Sequence, residues 1–94
     1  MNLNQAIAMV TEAMKSQDPT LYQDAKKENL LTTIVESHAK EMLAQISETM
    51  EAWLEENPNP TEQEMTMAKI RATEEAIAVW TKFQPIEETT DPNW

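Results

Sequence analysis

The chain holds 94 residues, with 17 acids against 7 bases for a net charge of −10, and contains neither glycine nor cysteine. That length makes one small domain. The missing cysteine excludes disulfides and thiolate metal sites, and the missing glycine argues against positive-φ hairpin turns and phosphate-cradling loops. No apolar run approaches the ~20 residues that span a bilayer. Met1–Gln5 lacks the basic stretch and apolar core of a signal peptide, so the expectation is a soluble, cytoplasmic protein, of a bacterium or of a phage-infected host.

The first predicted element runs over about 2–15. Leu3, Ile7, Val10 and Met14 recur at helical spacing, and Asn2 with Gln5 has the form of an N-terminal capping box. Asp18 followed by Pro19 is the N-cap and first residue of a second helix, predicted over about 19–56. Leu21, Tyr22 and Ala25 begin its buried face, the stripe lapses through Lys26–Asn29, where the helix bends or breaks, and it resumes at Leu30. From there Leu31, Val35, Ala39, Met42, Ile46, Met50 and Trp53 line one side, widened by Leu43 and Leu54.

Asn57-Pro58-Asn59-Pro60 interrupts the helical pattern, because each proline lacks an N–H and restricts the residue before it. Asn59 and Pro60 are read as N-cap and first residue of a third helix, with Glu62 placed for a capping box, running over about 60–84. Met65, Ala68, Ala72, Ala76, Val79, Trp80 and Phe83 share its face, and Ile70 and Ile77 widen it past half the circumference. A stripe that wide predicts two neighbours rather than one. Residues 85–94 carry no helical period and are expected to form a mobile acidic tail after a single helical domain over 1–84.

The fold class is therefore all-α: an antiparallel hairpin of two long helices plus a short N-terminal helix. So thin a core points to dimerisation into a four-helix core, with Ile70, Ile77 and Trp80 as the self-assembly residues.

Charge is uneven along the chain. Between Glu41 and Glu64 stand seven glutamates and no lysine or arginine, a surface that repels phosphates and attracts basic partners. Direct nucleic-acid binding and membrane binding are not expected. Glu41, Glu48, Glu51 and Glu55 fall within a quarter of the helical wheel opposite the apolar stripe. Glu55 and Glu56 sit at a helix C-terminus, where the macrodipole disfavours anions, whereas Glu62 and Glu64 sit at an N-terminus, where it favours them. The functional reading gives Glu48, Glu51, Glu55, Glu56, Glu62 and Glu64 to a basic protein partner. In its strongest form this would be a DNA-mimic inhibitor. The plainer reading is a solvated helix face.

Ile86–Trp94 resembles in layout, though not in motif, the acidic, aromatic-tipped tails of single-stranded-DNA-binding proteins. That resemblance implies recruitment of a partner through Trp94; the plainer alternative folds Trp94 back onto the helices. His38 and Glu41 have the spacing of two metal ligands, but no second histidine exists, so a partly buried structural histidine is the reading and no metal or cofactor is assigned. Met42, Met50, Met65 and Met67 lie on or near the apolar faces, as core filler or as an adaptable groove. No serine has a histidine–acid partner set, and the paired carboxylates lack the apolar surroundings that separate pKa values, so no enzyme is expected. The expectation is a non-enzymatic interaction or regulatory protein. The alternative is a homo-oligomeric structural or assembly subunit, of phage origin among others, working through its apolar faces, and a carboxylate-metal protein ranks third.

Overall fold

The computed structural model describes residues 1–83. They form four helices, α1 (Leu3–Gln17), α2 (Pro19–Lys27), α3 (Leu31–Glu56) and α4 (Glu62–Trp80), with no strand among the described residues. Each boundary has a local cause. At the start of α1, the Asn2 side chain accepts from the Gln5 N–H at 2.8 Å, and the Gln5 side chain accepts in return from the Asn2 N–H at 2.9 Å. This reciprocal cap satisfies two donors that a helix start otherwise leaves unpaired. Asp18 serves two helices at once. Its N–H donates to the Met14 carbonyl to close α1, and its carboxylate accepts from the Leu21 N–H to open α2 beside Pro19.

The helix expected over 19–56 is two helices, separated at Glu28–Leu30. The break is a Schellman closure. Leu30 N–H donates to the Ala25 carbonyl at 2.7 Å, Asn29 N–H donates to that of Lys26 at 3.3 Å, and Asn29 takes φ 62°. Asparagine tolerates that left-handed conformation better than other residues with a Cβ, so in a glycine-free chain it takes the place glycine usually holds.

The start of α4 also differs from expectation. Thr61, not Asn59, is the N-cap: its hydroxyl accepts from the Glu64 N–H, and the Glu64 carboxylate accepts from the Thr61 N–H at 3.0 Å. Two capping-box patterns overlap here, Asn59 with Glu62 and Thr61 with Glu64, and the second is formed. Pro60 therefore precedes the helix.

α4 ends at Trp80 rather than near residue 84. The next backbone groups are drawn away from the helix by Gln17, whose amide donates to the Thr81 carbonyl at 2.9 Å and accepts from the Phe83 N–H at 2.9 Å.

The core gathers Ala6, Val10 and Met14 of α1, Val35, Ala39 and Met42 of α3, and Ala76 of α4 with Phe83. Alanines at several of these positions let the helix backbones approach closely, while burying each methionine or valine contributes about 1.5–3 kcal/mol. α1 packs on α2 and α3, α2 also touches α3, and α3 packs on α4. Between α3 and α4 the contacts step in opposite directions. His38 lies beside Phe83, Gln45 accepts from the Trp80 indole N–H at 2.7 Å, and Trp53 shares a pocket with Ala68 and Thr61.

Burial is confined to one half of this pair. Met42 is the last buried residue of α3, Ala72 the first of α4, and no residue from 43 to 71 is buried.

Candidate functional site

Among the described residues, the half of α3 and α4 beyond Met42 and before Ala72 has no third helix to cover it, because α1 is only 15 residues long against 26 for α3. Its apolar side chains consequently remain at the surface: Leu54 is 37% exposed, Met65 40%, Ile70 47% and Met67 52%. Leu43, Ile46, Met50 and Leu54 of α3 and Met65 of α4 line a groove of about 460 Å³ together with Met1, Glu51 and Lys69. A second concavity of about 510 Å³ lies by the connection between α3 and α4, lined by Trp53 and Met67 and by polar groups including Glu64 and Arg71. Thr61, Glu64, Ala68 and Arg71 on the one hand, and Met65, Lys69 and Thr73 on the other, occupy different sides of α4 at 100° per residue. The two hollows are separate.

The six glutamates assigned to partner binding are all exposed: Glu48, Glu51, Glu55, Glu56, Glu62 and Glu64. They do not form one cluster. Glu51 lines the apolar groove, and Glu64 lines the second concavity. Glu64 caps α4, and Glu62 stands in the first turn of that helix, so both have a folding role. Glu55 and Glu56 end α3 with no basic residue in its last turn, an arrangement that costs stability rather than adding it. Trp94, with the rest of residues 84–94, lies outside the described residues.

Of the three self-assembly residues, Ile77 and Trp80 are half-buried against the chain's own core, and Ile70 is the one left at the surface. Met65 and Val79, read from the sequence as part of the buried stripe of this helix, are exposed as well. Among the described residues, the wide stripe of α4 thus meets one neighbour along most of its length.

His38 is half-buried. Its Nδ1 lies 3.0 Å from the Ile34 carbonyl, its ring meets Trp80 edge-on at 5.7 Å, and the Phe83 ring lies 5.2 Å away. This histidine packs between aromatic rings, and among the described residues no group of three or more His, Asp or Glu could hold a metal ion. No described helix is long and apolar enough to cross a membrane. Lys15 and Lys26 lie on the Tyr22 ring, each with its ammonium 5.8 Å from the ring centre.

Met50 and Met65, read from the sequence as core filler or an adaptable groove, line the groove, and Gln17 escaped the sequence reading. The groove had a signal, since Leu43 and Leu54 widen the α3 stripe beyond what one neighbour needs. Gln17 had none, because its partners lie 64 and 66 residues away. The chain matches no protein-family model, no curated protein and no solved structure.

Proposed function

We propose that this chain is a non-enzymatic protein-interaction module, an antiparallel α3–α4 hairpin braced at one end by α1 and α2, which binds a basic protein surface with the other end. One observation carries the reading. Residues 43–71 include no buried residue, yet they hold exposed apolar side chains and six exposed glutamates without a basic residue before Lys69. A helix pair kept only for its own stability has no use for Glu55 and Glu56 at the negative end of α3. A basic partner would relieve that repulsion. Nucleic acid would not, because its phosphates carry the same sign.

Charge reversal tests this. Partners recovered with the wild-type chain should be lost from Glu51→Lys/Glu55→Lys, and should elute as salt rises, since exposed ion pairs are screened. Retention of every partner by the double variant, at every salt concentration, would refute the reading.

A second reading rests on α4. Ile70 at 47% and Val79 at 54% exposure suit a homo-oligomer, a dimer sharing a four-helix core or an assembly subunit, joined through apolar faces. That association would be insensitive to salt. The two readings separate on this point.

A further inference from the structure

The groove beside α3 and α4 continues the seat of α1. Leu43 and Ile46 pack against the core that α1 helps to form and also line the groove, and Met1, just ahead of α1, lines it too. One amphipathic helix, with Ala6, Val10 and Met14 turned inward at four-residue spacing, thus occupies the first half of the α3–α4 face. The other half is left uncovered by the described residues. From Leu43 to Leu54 it runs about 16 Å at 1.5 Å per residue, the length of three helical turns.

We propose that this groove seats an amphipathic, basic helix of a partner protein, its apolar side on Leu43, Ile46, Met50, Leu54 and Met65. This rests on the interaction reading above and narrows it to one binding mode. The helical shape of the ligand follows from α1, which already lies on the same face. Its sign follows from the surroundings. Glu51 stands in the groove, and no lysine or arginine occurs between Glu41 and Glu64. A second copy of the chain meets the opposite situation, bringing its own net charge of −10 against the glutamates of this half. Met1, Met50 and Met65 supply unbranched, polarizable side chains that mould to a helix surface.

The test uses a fluorescent synthetic helix of about 15 residues, with leucines at i, i+3, i+4 and i+7 and lysines elsewhere. A scrambled peptide of the same composition is the comparator. Anisotropy should show saturable one-to-one binding at least about tenfold tighter than the scramble, a difference of about 1.4 kcal/mol. Leu54→Glu/Met65→Glu should abolish that preference although it adds negative charge, whereas Ile70→Glu, outside the groove, should leave it intact. Both groove positions are partly exposed, so helicity by circular dichroism should persist; Leu54→Ala/Met65→Ala repeats the test without new charge.

Equal binding of both peptides, unaffected by the groove variants but lost in Glu51→Lys/Glu55→Lys, would overturn the groove and leave the acidic-surface reading standing. No binding of either peptide would sink both. A free dimer that persists at high salt and is broken by Leu54→Glu would assign the groove to a second copy instead.

Discussion

Gln17 holds Phe83 by its backbone: the Phe83 N–H donates to Gln17 Oε1 at 2.9 Å, while Gln17 Nε2 donates to the Thr81 carbonyl two residues earlier, also at 2.9 Å. One side-chain amide at the end of α1 thereby pairs both a donor and an acceptor of the segment leaving α4, and keeps the Phe83 ring in the core beside His38. The bonds are half-buried, so their loss strands two backbone groups away from full hydration.

Gln17→Ala should therefore cost about 2 kcal/mol of unfolding free energy, near the lower range for two partly buried groups left unpaired. Gln17→Glu keeps the acceptor for Phe83 and loses the donor for Thr81, and should fall between the two. Urea denaturation followed by helicity reads both. A Gln17→Ala stability within about 0.5 kcal/mol of wild type would remove the clamp from this account.

The division of the molecule into a packed half and an open half predicts unequal truncation costs. Met42 and Met14 are fully buried, and replacing either with alanine should cost about 2–5 kcal/mol. Leu54→Ala and Met65→Ala, at 37% and 40% exposure, should each cost under about 1 kcal/mol. Comparable losses at Leu54 and Met42 would mean that the distal half is packed in solution.

Asn29 at φ 62° closes α2. Asn29→Ala should lose about 1 kcal/mol, since a Cβ without a compensating polar group is costly in the left-handed region. Asn29→Gly should match or exceed wild type. Equal stability of the alanine and glycine variants would show that the backbone turns some other way.

Solution mass separates the interaction reading from assembly. With a net charge of −10 and glutamates around the open half, the chain should be a monomer by light scattering at low salt, and should remain one when the charges are screened. A dimer at both salt concentrations favours the assembly reading.

The parts legible in the sequence are those with local causes. The Asn2–Gln5 cap, the Asp18–Pro19 start and the buried spacing of Val35, Ala39 and Met42 all follow from residues within a few positions of one another. The register of the α4 cap was ambiguous because Asn59 with Glu62 and Thr61 with Glu64 satisfy the same pattern, and proline is tolerated on either side of the boundary. The end of α4 was read a few residues late, since the groups that follow it pair with Gln17, 64 residues away. The break near Asn29 lay within reach, through a lapse in the stripe, but a glycine-free chain hides the usual marker of a positive φ.

For the candidate site the glutamates were legible as charge, and their division between capping and open surface was not. Glu64 looks like Glu51 in the sequence; only the hydrogen bond to Thr61 separates their roles. The exposed edge of α4 was read as buried because periodicity reports how wide an apolar face is, not how many neighbours the chain supplies to cover it.

The most direct measurement is amide chemical-shift mapping of the labelled chain during titration with the leucine–lysine helix. The account predicts saturable shifts over Leu43–Leu54 and Met65–Thr73, with α2 and the first two turns of α3 unmoved. Shifts spread evenly over the exposed glutamates, or centred on Val79 and the last turns of α4 instead, would contradict it.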